Sequence, residues 1–140
     1  NELVDNIYQH SDFKNALVMA QRYENKKFTE ICFFDDGITI KGSFLKNGIK
    51  FNDTEAIIQA LKGVSSKNKE RGYGLSSNLN LFINGLGGEV LIISGIGAIY
   101  WSKTAQKIYK LPDIYKLKGT LISIRIPYPV KMVDIYDYID

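Results

Sequence analysis

Cysteine is almost absent. Cys32 is the only one in 140 residues, so no disulfide forms within the chain, and a reducing compartment is the expected setting. It lies in the apolar run Ile31-Cys32-Phe33-Phe34, where a free thiol behaves as a small buried hydrophobe. Long apolar runs are missing too: Gly or a charge interrupts each one well short of the roughly 18 residues of a membrane span, and no signal-peptide pattern opens the chain. Neither charge sign forms a block. The net charge of +3 comes from 18 basic and 15 acidic residues spread along the sequence, which argues against a nucleic-acid footprint. There is no internal repeat, no Walker A loop ending in Gly-Lys-Ser/Thr, and no Rossmann fingerprint after a strand. A soluble, cytoplasmic protein without a membrane segment is expected. The chain opens at Asn1 without Met and with almost no room for a helix cap. The expectation is therefore that upstream sequence has been removed and that Glu2 sits in a frayed first turn.

What is present suits one domain: 45% hydrophobic residues, with seven Phe, nine Tyr and one Trp, supply a real core over residues 1–140. The opening residues predict a helix. Asn15 to Tyr23, the polar turn Glu24-Asn25-Lys26-Lys27 and Thr29 to Phe34 predict a hairpin whose second strand is buried. Asn52 or Asp53 caps a short helix carrying Ala56, Ile57, Ala60 and Leu61, ending at Gly63. Val64 to Arg71 reads as a polar surface loop or lid. Gly72-Tyr73-Gly74 then opens a helix with Leu75, Leu79, Phe82, Ile83 and Leu86 on one face. Strands follow at Glu89 to Ser94, Ala98 to Lys103 and Thr120 to Ile126, with a tight turn at Gly95-Ile96-Gly97. The 128–140 tail carries no usable motif. This order predicts an α/β two-layer sandwich with a mostly antiparallel sheet.

Four pieces carry candidate chemistry. Glu2, Asn6 and His10 recur every four residues and form one polar helix stripe opposite Leu3, Val4 and Ile7. An Asn amide oxygen is a hard neutral ligand suited to Mg²⁺, and a carboxylate one turn earlier can orient or deprotonate water. A plain solvated helix face has the same pattern. Asp35-Asp36-Gly37 closes a buried strand, where a carboxylate can accept a hydrogen bond from an amino group such as that of adenine; an acidic turn is the simpler alternative. Arg71-Gly72-Tyr73-Gly74-Leu75-Ser76 is a Gly-rich turn at a helix start, behind a Lys-rich loop, and free N–H groups there favour anions. Gly119-Thr120 opens the last strand, where a hydroxyl can bridge to a base through water, although Thr is also an ordinary strand residue.

In this order the pieces resemble the ATP-binding domain of the GHKL (Bergerat-fold) family, shared by gyrase, heat-shock chaperone, histidine-kinase and mismatch-repair proteins. Glu2 to Ser11 resembles the N box, Asp35 to Ile40 the first glycine box, Arg71 to Ser76 the second, and Gly119-Thr120 the late Gly-Thr motif. The resemblance implies a mixed, mostly antiparallel sheet covered by helices on one face, over a single histidine-kinase-like ATPase domain truncated at its N-terminus.

By the same resemblance Asn6 ligands Mg²⁺, Asp35 binds the adenine amino group beside Gly37 with Thr120 helping through water, and Gly72, Tyr73, Gly74 and Leu75 cradle the phosphates. Glu2 is the candidate general base. His10 touches the α-phosphate side, and Lys67, Lys69 or Arg71 reaches the terminal phosphates from the lid. The implied activity is Mg-ATP binding with slow hydrolysis or phosphotransfer to a protein partner or an additional upstream domain, with a homodimer left open. The alternative is a degenerate nucleotide-sensing or protein-interaction module without catalysis. Two departures stand out: Thr39 occupies the place of the second Gly in Asp-x-Gly-x-Gly, where a β-branched side chain resists positive φ, and the lid is short.

Overall fold

The computed structural model of the chain describes Asp12, residues 14–62 and residues 79–128. Six strands run through them: β1 (Ala16–Tyr23), β2 (Phe28–Asp35), β3 (Glu89–Gly95), β4 (Gly97–Ser102), β5 (Gln106–Lys110) and β6 (Leu117–Pro127). Two helices, α1 (Ile40–Lys46) and α2 (Asp53–Leu61), lie between β2 and β3, a π-helical turn (Leu81–Gly85) precedes β3, and a 3-10 turn (Asp113–Tyr115) precedes β6. The sheet order is β1-β2-β6-β3-β4-β5, and every neighbouring pair is antiparallel.

Directly paired residues share a face of the sheet, so the register sorts the side chains into rows. Phe33, Ile122, Ile92 and Ile99 form one row, and Ile31, Ile124, Val90 and Trp101 the next. Ile57 and Leu61 of α2, with Leu79 and Ile83 at the π turn, pack on these rows to complete the core. Each fully buried aliphatic or aromatic side chain there stabilises the fold by about 1.5–3 kcal/mol relative to exposure. One step further along the strands the row changes character: Asp35, Thr120, Ser94 and Gly97 sit side by side.

The local signals explain both helices. In α2 the Asn52 side chain accepts the Glu55 N–H at 2.8 Å while the Glu55 carboxylate accepts the Asn52 N–H at 3.1 Å, a reciprocal capping box. Buried Asp53, in the first turn, accepts the Ile96 N–H at 3.1 Å and so ties the β3–β4 turn to the helix start. α1 begins at Thr39, whose hydroxyl accepts the Gly42 N–H at 3.1 Å. Its buried Phe44 meets Phe51 edge to face with ring centres 5.1 Å apart.

The expected fold class is corrected by this architecture. The described residues are mainly one wholly antiparallel six-stranded sheet, not a mixed sheet in an α/β sandwich covered by helices. α1 and α2 have seven and nine residues, lengths of roughly 10 and 13 Å at 1.5 Å per residue. The 11-residue β6 extends about 36 Å at 3.3 Å per residue, so the two helices described are too short to span the sheet. The opening helix with Glu2, Asn6 and His10, the lid and the 129–140 tail lie outside the described residues, as does the start of the helix expected from Leu75. Among the described residues no helix is long and apolar enough to cross a membrane.

Candidate functional site

The polar row crosses the sheet where β2 ends. Asp35 is the last residue of β2 and pairs directly with Thr120 of β6, which pairs in turn with Ser94 of β3. All three are buried, Asp35 being only 2% exposed. Polar groups in such surroundings are costly unless hydrogen-bonded, and here they are. The Asp35 Oδ1 accepts the Gly37 N–H at 2.9 Å, the Ser94 and Thr120 hydroxyls lie 2.8 Å apart, and Ser94 Oγ accepts the first N–H of α1, from Ile40, at 2.9 Å. The row therefore joins β2, β6 and β3 to the start of α1.

A bulge brings the backbone close at this point. Ser94 pairs with Thr120 but Gly95 pairs with Leu117, so β6 carries two additional residues, Lys118 and Gly119, opposite β3. Gly119 has φ +124, and a Cβ there would stand 1.9 Å from the Asp35 carbonyl oxygen. Only glycine combines that backbone with that approach, which gives the Gly of the Gly-Thr pair a specific structural task.

The two carboxylates of Asp35-Asp36-Gly37 divide their roles. Asp36 turns away from the row and holds the start of β1: its Oδ1 accepts the N–H groups of Lys14 and Asn15 at 2.8 Å each, and its Oδ2 accepts the Asn15 side-chain amide at 2.9 Å. Those bonds, the Asn15 backbone and side-chain donors first, hold the Asp36 carboxyl down at about 2. Asp36 is therefore a fastener between strands, and Asp35 is the carboxylate of the row.

Beside the row lies a cleft of about 370 Å³ lined by Gly37, Ile38, Thr39 and Gly42 on one side and by Lys116, Leu117, Lys118 and Gly119 on the other. Its volume is within the range of small-molecule sites. Lys116 and Lys118 are exposed at this cleft and make its mouth cationic. Thr39 has φ −69 and ψ 173, an extended backbone that any residue adopts. The β-branched residue at the second Gly position is thus unstrained and serves as the cap of α1.

Of the expected site residues, Asp35, Gly37 and Thr120 are brought together although 85 positions separate the first from the last. Glu2, Asn6, His10, Lys67, Lys69, Arg71, Gly72, Tyr73, Gly74 and Leu75 lie outside the described residues. Ser94, Lys116 and Lys118 were not expected. Ser94 had a signal, as the polar interruption of the apolar run Val90-Leu91-Ile92-Ile93; the lysines had none, because their position depends on the bulge. Among the described residues no group of three or more His, Cys, Asp or Glu side chains could hold a metal ion, and the expected Mg²⁺ ligand, Asn6, lies outside them. No family model matches the chain, and no curated protein matches it.

Proposed function

We propose that this chain binds Mg-ATP, with the adenine in the cleft beside Asp35 and Thr120, and couples binding to slow hydrolysis or to phosphotransfer onto a protein partner. The observation that carries this reading is the pairing of Asp35 with Thr120. It unites the segment that resembles the first glycine box with the segment that resembles the Gly-Thr motif, on adjacent strands and at one cleft. A purine fits the chemistry: its exocyclic amine is a donor for a carboxylate, and a hydrogen bond to a charged group contributes about 1.5–3 kcal/mol. Because Asp35 is 2% exposed, the amine reaches it through the wall at Gly37 and Gly119, and binding has to drive that opening. The cationic mouth at Lys116 and Lys118 favours an anionic ligand. By the resemblance, Asn6 holds Mg²⁺, Glu2 activates water, and the residues from Lys67 to Leu75, with His10, take the phosphates. A cytoplasmic setting, rich in nucleotide and reducing toward the free Cys32 thiol, suits the same reading.

Thermal unfolding in the presence of Mg-ATP or Mg-ADP tests it. At a ligand concentration 100 times its dissociation constant the fold gains roughly 2.7 kcal/mol, and an unchanged melting temperature with both nucleotides sinks the proposal. Asp35→Asn is expected to lose the preference for ATP over GTP, and Glu2→Gln to bind ATP but no longer turn it over.

A further inference from the structure

The segment from Lys107 to Lys118 turns a corner of the sheet. It leaves the outer strand β5, crosses the end of the β3–β4 turn, where the Leu111 N–H donates to the Ile96 carbonyl at 2.6 Å, and passes through the 3-10 turn Asp113–Tyr115 into β6. Its charge is one-sided. Lys107, Lys110, Lys116 and Lys118 are all exposed, and Asp113 is the only acid among them. Between the lysines stand exposed apolar side chains, Ile108 and Tyr109 on β5 and, further out, Ile114 and Tyr115 on the 3-10 turn at 83% and 66% exposure. Apolar residues scattered singly on a surface are ordinary, whereas an aliphatic and an aromatic side chain side by side inside a set of lysines form an amphipathic patch. We propose that this corner seats on the surface of an anionic lipid bilayer, with Ile114 and Tyr115 entering the headgroup region and the lysines facing the lipid phosphates.

Charge, shape and backbone each favour that occupant. Lysines beside an anionic leaflet gain from its surface potential, and four of them outweigh the single carboxylate of Asp113. Ile114 protrudes; a folded partner would need a matching pocket for it, whereas a bilayer yields around an apolar side chain. A segment that enters the interface must also keep its N–H groups bonded. Here the Leu111 N–H is held by Ile96, the Tyr115 and Lys116 N–H groups donate to the Pro112 and Asp113 carbonyls at 2.9 and 3.1 Å, and Pro112 has no N–H. A turn bonded within itself offers few groups for an added peptide strand and few to strip of water. Tyrosine, with an apolar ring and a polar hydroxyl, and lysine, with a long apolar stem, suit the boundary between lipid and water. The contact is peripheral, in keeping with the lack of a membrane-crossing helix among the described residues, and it is independent of nucleotide.

Co-sedimentation of the full chain with vesicles, without nucleotide and at about 0.15 M salt, tests the inference. The chain is expected to pellet with phosphatidylcholine vesicles that contain about one-third phosphatidylglycerol and to stay in solution with phosphatidylcholine alone. Ile114→Ser with Tyr115→Ser should weaken vesicle binding about tenfold through lost apolar insertion. Lys107→Glu with Lys110→Glu should weaken it about thirtyfold. Lys26→Glu with Lys27→Glu makes the same charge change in the β1–β2 turn, at the opposite end of the strands, and should cost less than about threefold because salt screens distant charge. All these side chains are exposed, and an unchanged circular dichroism spectrum checks that each variant folds. A chain that ignores both kinds of vesicle overturns the inference and leaves the corner to an acidic protein surface. Binding that the corner variants and the turn variant lower equally also overturns it, because the charge of the whole molecule would then suffice.

Discussion

β1 and β6 draw on similar residues, Ala-Leu-Val-Met-Ala in one and Leu-Ile-Ser-Ile in the other. Yet Met19 at the middle of β1 is 67% exposed and Ile124 of β6 only 1%. β6 has a strand on each side, β2 and β3, and the α2 and π-turn side chains pack on its row. Among the described residues β1 has one neighbour and none of the core residues. Apolar content therefore makes a strand, and place in the sheet decides whether that content becomes core or an exposed edge. The difference extends to backbone: β6 carries the bulge and the closely approached Gly119, whereas β1 runs in unbroken register.

The largest effect is expected where β6 is tightest. Gly119→Ala would force a Cβ against the Asp35 carbonyl at a positive φ and should destabilise the fold by about 4 kcal/mol, the upper end for single substitutions. It should also remove nucleotide-dependent stabilisation. Urea unfolding within about 1 kcal/mol of the parent would show that the bulge is no constraint.

Next comes the contrast itself. Ile124→Ala should cost about 3 kcal/mol through lost burial and a residual cavity, while Met19→Ala should stay within about 0.5 kcal/mol. Equal losses at the two sites would erase the distinction between centre and edge.

The smallest effect concerns how β1 is fastened. The Asp36 carboxyl is held at about 2, against 3.8 for the free group. A carboxyl lowered on folding stabilises the protein above its unfolded value, and that contribution is lost as the pH falls through the folded value. The difference in unfolding midpoint between the parent and Asp36→Asn should thus be constant above pH 3.8 and shrink as the pH falls toward about 2. A difference independent of pH across that window would detach the strand anchor from the Asp36 charge.

Much of the local structure was legible. The hairpin of β1 and β2 came from two apolar runs around a polar turn, α2 from Asn52 and its apolar spacing, and the β3–β4 turn from Gly95-Ile96-Gly97. α1 was missed because Ile40-Lys41-Gly42-Ser43 is a poor helical sequence; its start is held by the Thr39 cap and by Ser94 from a distant strand. β5 was missed as a short, fully exposed edge strand without alternating burial. Helical periodicity in the sequence does not by itself make a covering layer: the helices described, of seven and nine residues, are too short to cover the sheet.

By itself the sequence determined which segments extend, where α2 begins, and that a carboxylate closes one apolar strand and a hydroxyl stands near the start of another. Those are properties of near neighbours, set by capping, turn chemistry and the period of apolar residues. Only the tertiary structure decided that Asp35 and Thr120 become partners, that Ser94 joins them, that Asp36 faces the other way, and that β1 is left at the edge. Strand order and register are set by pairing between residues far apart in the chain.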